Sequence, residues 1–234
     1  MRKVAIFDLD GTLVDTPTGI VRSFAAAFTE LGVPVPAADS IRATIGIPLT
    51  VAFAGFLGVT PDDRLVASAV ARYQVAFAEL VLPKAADLVY PGVVDGLEGL
   101  ERDGFALAVA TSKLNAGADA LLTAAGIRDR FGVLVGADQV SNPKPAPDSA
   151  LLVLGELGAR ASDAIMVGDA THDLRMAEAA GVRSIAVTYG AHGRAELASA
   201  RPTWLVDSFP EVVGTLRAAA GITGSTNAAP PPPR

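Results

Sequence analysis

The sequence predicts an α/β fold in which helices cover both faces of a parallel sheet, giving three layers, and in which an α-helical cap domain is inserted. Three observations support this prediction. Short apolar runs alternate with helical patterns along the chain, and several helical patterns end at a glycine. The first two apolar runs, which end at Phe7 and begin at Phe105, are separated by far more residues than a crossover between parallel strands needs.

Six apolar runs are predicted to be buried strands because each is short and is bounded by Gly, Asp or Ser. They cover residues 4–7, 105–110, 133–135, 164–167, 184–187 and 204–206. Between them, helical patterns over residues 115–125, 149–157 and 174–180 end before a glycine, which commonly terminates a helix. Parallel neighbours need crossovers that are usually helical, so this alternation predicts a Rossmann-like sheet with helices on both faces.

The interval between the first two predicted strands has helical periodicity of its own. Ile20, Phe24 and Phe28 fall on one stripe, and a later stripe includes Tyr73 and Phe77. We therefore expect residues 16–88 to form the α-helical cap domain, and residues 1–15 together with 89–220 to form the core domain. Residues 221–234 are small, polar and rich in proline, which predicts a disordered tail.

Composition and charge exclude several classes of protein. The 234 residues include 19 Lys and Arg against 25 Asp and Glu, so no basic surface is expected to attract nucleic acid. With no Cys and two His, the chain cannot build a thiolate zinc site or a cage of several histidines, and an oxygen-bound divalent cation such as Mg²⁺ is favoured. The apolar run before Asp8 is too short for a signal peptide or a membrane span, so we expect a cytoplasmic protein without a membrane partner.

Polar side chains follow four of the predicted strands at the point where each strand ends. They are Asp8 and Asp10 after the first strand, Thr111 and Ser112 after the second, Lys144 after the third and Asp169 after the fourth. Ligands of open parallel sheets bind at this edge. Three carboxylates gathered there would repel one another, so we expect Asp8, Asp10 and Asp169, with water, to hold a divalent cation, namely Mg²⁺.

The same edge is expected to bind a phosphate group. The cation and Lys144 would form a positive concavity, and Thr111 and Ser112, at a strand-to-helix turn, would add a hydroxyl and main-chain N–H donors. We include Gly11, in the turn after Asp10, among the phosphate-binding residues.

Two carboxylates spaced i, i+2 on an extended segment point to the same side. Asp8 is therefore expected to attack phosphorus and form an aspartyl-phosphate, while Asp10 protonates the leaving alkoxide and then activates water. Asp173, four residues after Asp169, suits a role in orienting water bound to the metal.

These segments resemble, in order, the four motifs of the haloacid dehalogenase superfamily, in its phosphatase branch. The first is Asp-Leu-Asp-Gly-Thr-Leu-Val-Asp at residues 8–15, and the others contain Thr111, Lys144 and Asp169. The resemblance extends from Met1 to about Leu216 and is strongest to phosphoglycolate-phosphatase-like members with an α-helical cap. It implies that Asp8, the main-chain carbonyl of Asp10 and Asp169 bind Mg²⁺, and that Thr111 and Lys144 hold the phosphoryl group.

Other residues have two interpretations. Arg42 and the segment 44–49, which contains Gly46, resemble the family's substrate-specificity loop. A Gly-Pro connection between helices explains that segment as well. His172 lies within the metal motif at a variable position and is expected to be a surface helix residue, and His192 lies on a loop after the fifth predicted strand.

The function predicted from these residues is that of a phosphoric monoester hydrolase acting on a small phosphorylated metabolite. A sugar phosphomutase is the alternative within the family, and it would need a second phosphate site in the cap. A phosphoacceptor signalling module also uses Asp, Thr and Lys at a sheet edge, but the inserted segment counts against it. The sequence predicts neither the physiological substrate nor the oligomeric state.

Overall fold

The computed structural model describes residues 3–222 and contains a six-stranded, wholly parallel sheet with strand order β3-β2-β1-β4-β5-β6. The strands are β1 Lys3–Phe7, β2 Phe105–Ala110, β3 Val133–Val135, β4 Ala164–Gly168, β5 Arg183–Val187 and β6 Trp204–Val206. All six predicted strands are present within one residue at either end. The predicted α/β fold is thus confirmed.

Ten α-helices lie within the described residues. They are α1 Pro17–Leu31, α2 Ala38–Arg42, α3 Leu49–Leu57, α4 Arg64–Leu80, α5 Val93–Arg102, α6 Asn115–Ala124, α7 Asp148–Leu157, α8 Thr171–Ala179, α9 Arg194–Ser199 and α10 Phe209–Ala219. Short 3₁₀ helices cover Leu82–Leu88, Arg128–Arg130, Ala137–Gln139 and Ala161–Asp163. Helix α8 begins three residues before its predicted start because Asp173 accepts a hydrogen bond from the Ala170 N–H and so caps the first turn.

Both faces of the sheet are buried, as the three-layer prediction requires. In β1, Ala5 and Phe7 contribute to one hydrophobic cluster, whereas Val4 and Ile6 contribute to a second. Successive side chains of a strand point to opposite faces, so two separate clusters mean that helices cover both sides.

The strand order places a switch point between β1 and β4. Strands β2 and β3 lie on one side of β1, and β4 to β6 lie on the other. The residues that follow β1 and β4 are therefore neighbours, and the Asp8 N–H donates to the Val167 carbonyl at 2.9 Å. Crevices at such a switch point are where ligands bind in open α/β sheets.

Helices α1 to α4 and the 3₁₀ helix Leu82–Leu88 lie between β1 and α5, and we call residues 17–88 the inserted helices. Their interior is aromatic: the rings of Phe24 and Phe53 stack at 4.4 Å, and Tyr73 contacts Phe24 edge-on at 5.1 Å. The predicted division into a core domain (1–15 with 89–220) and a cap domain (16–88) stays a prediction.

The two chain segments that join the inserted helices to the sheet run side by side. Val14 and Val89 form an antiparallel bridge, the Asp15 N–H donates to the Leu88 carbonyl at 2.7 Å, and the Tyr90 N–H donates to the Leu13 carbonyl at 3.1 Å. The inserted helices thus leave and rejoin the rest of the chain at a single point.

Two predictions concern the ends of the chain and membranes. The predicted disordered tail, residues 221–234, lies outside the described residues except for Gly221 and Ile222. No single helix within residues 3–222 has the length and apolar character to cross a membrane. Only the pair formed by α4 and Leu82–Leu88, bent by 59°, meets those two criteria together.

Candidate active site

Four charged side chains are almost completely buried at the carboxyl edge of the sheet. Asp8 follows β1, Asp169 follows β4, Asp173 lies in the first turn of α8, and Lys144 lies in the loop before α7. Their exposed fractions are 5%, 1%, 2% and 3%. Charged side chains are rarely buried to this extent unless they are paired or bind a ligand, so this cluster marks the site.

Lys144 joins two of the carboxylates. Its Nζ lies 2.8 Å from Asp8 Oδ1 and 2.5 Å from Asp173 Oδ1. Burial lowers the pKa of Lys144, but the facing Asp173 and Asp8 carboxylates more than offset it and raise that pKa. The ammonium group therefore stays charged.

The carboxylates of Asp8, Asp169 and Asp173 form a compact group in which one oxygen from each lies within 4.8 Å of the others. Burial raises the pKa of Asp8 to about 7, and the neighbouring Asp173 and Asp10 carboxylates add to the effect of burial. Burial and the Asp8 and Asp173 carboxylates also raise the pKa of Asp169. One lysine cannot neutralise three buried carboxylates, so this donor set fits a divalent cation with oxygen ligands.

Two glycines allow the backbone to approach Asp169 closely. A Cβ added at Gly11, where φ is +87°, would lie 2.1 Å from Asp169 Oδ2, and a Cβ added at Gly190 would lie 2.2 Å from the same atom. The loops after β1 and β5 therefore enclose this carboxylate, which accepts hydrogen bonds from the Ala191 N–H at 2.7 Å and the Thr12 hydroxyl at 3.0 Å. Gly190 was not among the predicted site residues, and the phosphate-binding role of Gly11 stays a prediction.

The Asp10 carboxylate lines the same cavity as Asp8 but has partners of its own. Its Oδ1 accepts a hydrogen bond from the Thr16 hydroxyl at 2.6 Å, and its Oδ2 lies 3.0 Å from Lys113 Nζ. Asp173, and not Asp10, is therefore the third member of the compact carboxylate group. The group of Asp10 that remains as a candidate metal ligand is its main-chain carbonyl, as the family resemblance implies.

Lys113 lines the site cavity. The sequence singles it out, with Arg22 and Arg72, as a cation that could contact a second anionic group of the substrate, and that role stays a prediction. Besides its ion pair with Asp10, its Nζ lies 4.2 Å from the centre of the Phe77 ring, a cation–π contact with helix α4. The chain has only four lysines against 15 arginines, so the rarity of lysine was a signal available for Lys113 as it was for Lys144.

Thr111 and Ser112 both lie at the site, but their hydroxyl groups differ in environment. The Lys113 N–H donates to Thr111 Oγ1 at 3.3 Å, and this hydrogen bond closes a turn at the end of β2. Ser112 Oγ donates to the Gly46 carbonyl at 2.6 Å and so connects the sheet edge to the inserted helices. Their predicted roles in binding phosphate stay predictions.

Gly46 and Arg42, predicted together as specificity residues, occupy different surroundings. Gly46 lines the site cavity and has a φ of +98°, and a Cβ added to it would lie 3.2 Å from the Ala170 Cβ. Arg42 is exposed at the end of α2 and is not among the described residues that line the cavity. Gly46 is thus at the cavity and Arg42 is not, and the specificity role predicted for both stays a prediction.

The two histidines lie near each other beside the site. His192 is buried, with Nδ1 2.9 Å from Glu196 Oε1. His172 Nδ1 is buried without a hydrogen-bond partner in the described part of the chain, and burial lowers the pKa of this residue. Both rings lie outside the compact carboxylate group.

A cavity of about 280 Å³ opens between the sheet edge and the inserted helices. Asp8, Asp10, Thr111 and Ser112 line it on the side of the sheet, and α1, α4 and residues 44–49 line the opposite side. A molecule bound at Asp8 would therefore also contact the inserted helices.

Replacement of Gly46 by alanine tests the contact between the two sides of the cavity. We expect Gly46→Ala to lower kcat/KM at least tenfold, since the added methyl group strains a positive φ and presses on Ala170. Gly58→Ala is the matched control, because Gly58 also has a positive φ, +69°, but its added Cβ would meet nothing within 4 Å. Equal losses in the two variants would assign the effect to backbone strain alone.

Comparison with known proteins agrees with this geometry. Residues 5–187 match the family described as haloacid dehalogenase-like hydrolase. The chain is 50% identical over 225 residues to the protein named Probable phosphatase IndB of Dickeya dadantii, covering 96% of this chain and 98% of that one. It is 31% identical over 210 residues to a phosphoglycolate phosphatase of Pectobacterium atrosepticum, covering 88% and 89%.

The fold is also shared with solved structures. The crystal structure of a predicted phosphoglycolate phosphatase from Haemophilus somnus superposes with a TM-score of 0.80 at 25% sequence identity. The match covers 92% of this chain and 97% of that one.

Proposed function

Since the chain belongs to the haloacid dehalogenase-like hydrolase family and is a phosphatase, we propose that it is a Mg²⁺-dependent enzyme that hydrolyses a small phosphomonoester through an aspartyl-phosphate, as a phosphoglycolate phosphatase-like enzyme would. One observation carries the proposal. The Asp8 carboxylate lines the cavity while its Oδ1 is held 2.8 Å from Lys144 Nζ, so a nucleophile and a phosphoryl-binding cation lie together.

In the first step, Asp8 attacks phosphorus and the bond between phosphorus and the leaving oxygen breaks. Lys144, held by Asp8 and Asp173, offers positive charge to the phosphoryl oxygens. Asp10 donates a proton to the leaving oxygen, and in the second step it accepts a proton from the water that attacks the aspartyl-phosphate. The hydrogen bond from Thr16 and the ion pair with Lys113 hold the Asp10 carboxylate at the cavity wall.

The carboxylates of Asp8 and Asp169, with the main-chain carbonyl of Asp10, are the groups that would hold Mg²⁺. Asp173 lies in the same carboxylate group, but its oxygens already contact Lys144 and the Ala170 N–H, so it would orient water bound to the cation. When bound, the cation supplies further positive charge against the negative charge of the phosphoryl group. It also offsets the mutual repulsion of the three buried carboxylates.

Metal dependence is a direct prediction. We expect exhaustive treatment with EDTA to stop hydrolysis of para-nitrophenyl phosphate and added Mg²⁺ to restore it. Ca²⁺ should fail to restore turnover, because its larger and less regular coordination shell misplaces the nucleophile. Full activity after chelation would contradict the metal role of this carboxylate group.

Trapping of the covalent intermediate tests the mechanism. Rapid acid quench after mixing with ³²P-labelled substrate should leave label on the protein, and hydroxylamine should remove it, as expected for an acyl phosphate. Label that persists in Asp8→Asn would exclude Asp8 as its carrier.

Repeated turnover of para-nitrophenyl phosphate distinguishes a phosphatase from a phosphoacceptor signalling module, which would be labelled once.

The sugar phosphomutase alternative has no specific support in the cavity. A mutase would need a second phosphate-binding group opposite Asp8. Among the described residues that line the cavity, Lys113 is the only cationic side chain, and it is already paired with Asp10.

A further inference from the structure

We propose that the physiological substrate of this phosphatase has an apolar leaving group that carries a ring, and not a carboxylate such as that of glycolate. The proposal rests on the proposed function, because it assumes that the phosphoryl group is held beside Asp8. It follows from the chemistry of the cavity wall opposite that residue.

The wall opposite Asp8 is apolar. Helices α1 and α4 contribute Phe24 and Phe77, and the segment after α2 contributes Ile45 and Ile47 together with Leu49 at the start of α3. Helix α6 and the residue before it add further small or aliphatic side chains, namely Leu114, Ala116 and Ala120. A leaving group that enters this space exchanges water for hydrocarbon, which favours an apolar group.

The cavity has the size and the side chains to hold a ring. Its volume is about 280 Å³, whereas an apolar cavity of roughly 150 Å³ is large enough to bind benzene. One ring and the phosphoryl group therefore fit together. The aromatic residues Phe24, Tyr73 and Phe77 line the same space, and aromatic pairs gain from edge-to-face and offset contacts beyond the area that they bury.

A carboxylate has no partner in this wall. Lys113 is the only cationic side chain among the described lining residues, and its Nζ is held between Asp10 Oδ2 at 3.0 Å and the Phe77 ring at 4.2 Å. If Lys113 turned to a glycolate carboxylate, Asp10 would lose its ion pair. Burying a carboxylate without a paired cation is strongly unfavourable.

A polyol leaving group has few hydrogen-bond partners on this wall. The Thr44 hydroxyl donates to the Ile41 carbonyl at 2.7 Å, and the Ser112 hydroxyl donates to the Gly46 carbonyl at 2.6 Å. Tyr73 and Gln74 are the other polar side chains on the wall formed by the inserted helices. Two side chains can face only part of a sugar, whose hydroxyls point in several directions around the ring.

Three alkyl phosphates test the proposal without a large change in leaving-group basicity. They are 2-phenylethyl phosphate, ethyl phosphate and phosphoglycolate, assayed with Mg²⁺. We expect kcat/KM for 2-phenylethyl phosphate to exceed the values for the other two at least tenfold. Hydrolysis of phosphoglycolate with an equal or higher kcat/KM would overturn the proposal.

A binding measurement separates this proposal from the proposed function. The phosphonates that replace the bridging oxygen of these esters by CH₂ are 3-phenylpropylphosphonate, propylphosphonate and 2-carboxyethylphosphonate, and calorimetry measures their Kd. We expect 3-phenylpropylphosphonate to bind at least ten times more tightly than the others, whether or not the esters are turned over. Preferential binding without turnover would refute the proposed catalysis alone, whereas equal binding, or no binding of any of them, would refute the apolar site.

A matched pair of variants tests the role of charge at the cavity edge. Ala78 and Ala71 are both exposed on α4, seven residues apart and so on the same side of the helix, but only Ala78 lines the cavity. Ala78→Arg should lower the preference for 2-phenylethyl phosphate over phosphoglycolate at least tenfold. Ala71→Arg should leave the preference unchanged, and an unchanged preference in Ala78→Arg would contradict the proposal.

Discussion

The Asp8→Asn enzyme is expected to retain less than about one per cent of wild-type turnover while remaining folded. Asparagine has the shape of aspartate, but its amide cannot attack phosphorus and carries no charge for a metal ion. Initial rates with para-nitrophenyl phosphate and Mg²⁺ measure the loss. Residual activity above that level would exclude Asp8 as the nucleophile.

The same variant should melt at the wild-type temperature or above it when both proteins are measured in EDTA. Asp8 is one of three buried carboxylates that lie close together with only Lys144 to pair two of them, and burial raises the pKa of Asp8 to about 7. A neutral amide at this position reduces the repulsion, and Lys144 keeps its ion pair with Asp173. Loss of activity with preserved or increased stability would separate a chemical role from a structural one.

Asp119→Asn is the control for that measurement. It makes the same chemical change on the exposed side of α6, where Asp119 pairs with Arg128 at 2.7 Å. Exposed ion pairs contribute little to stability. We expect both turnover and melting temperature to stay near the wild-type values.

Lys144→Ala should remove both activity and stability. The variant loses the cation that we propose contacts the phosphoryl group, so all phosphate esters should be affected alike. It also leaves Asp8 and Asp173 buried without a cationic partner. Breaking a buried ion pair by removing one partner costs roughly 3–5 kcal/mol, which corresponds to a fall in Tm of roughly 6–20 °C in EDTA for a protein of this size.

Two further variants isolate the cause of that instability. Lys144→Ala combined with Asp173→Asn should regain part of the lost stability without regaining activity, since one unpaired charge has been removed. Lys84→Ala, an exposed lysine in the 3₁₀ helix Leu82–Leu88, should change neither property. A double variant no more stable than Lys144→Ala would show that lost packing, and not unpaired charge, destabilises the protein.

The sheet and the position of the site are predictable, because both depend on local sequence patterns and on the geometry of parallel strands. Each strand is a short apolar run bounded by Gly, Asp or Ser. Residues that follow parallel strands meet at one edge of the sheet. Asp8, Asp169 and Lys144 therefore converge as expected. Membership of the phosphatase branch was likewise predictable, because four motifs occur in order.

Other features depend on side-chain direction and on packing between distant segments, which spacing does not specify. Asp8 and Asp10 line one cavity, as the i, i+2 spacing predicts, but the Asp10 carboxylate is paired with Thr16 and Lys113. The third member of the compact carboxylate group is instead Asp173. Contact between Ser112 and Gly46 could not be read from either segment alone.

Helix α5 was not predicted because its glycines weaken the local helical signal. A Cβ added at Gly96 would lie 2.7 Å from a ring carbon of Phe209 in α10. The glycine therefore serves close packing of two helices, at the expense of helix propensity.

The side-by-side course of the segments around Val14 and Val89 has a consequence for the order of folding. Strand β1 must pair with β2, whose residues lie far along the chain, as the register of Lys3 with Phe105 shows. Closing a long flexible loop is entropically unfavourable and slows folding. Once the inserted helices have folded among themselves, however, their two ends are held at one bridge, and the loop that remains to be closed is short. We therefore expect the folded inserted helices to speed β1–β2 pairing by holding these two segments together. Variants that loosen the aromatic interior of the inserted helices should slow refolding of the sheet.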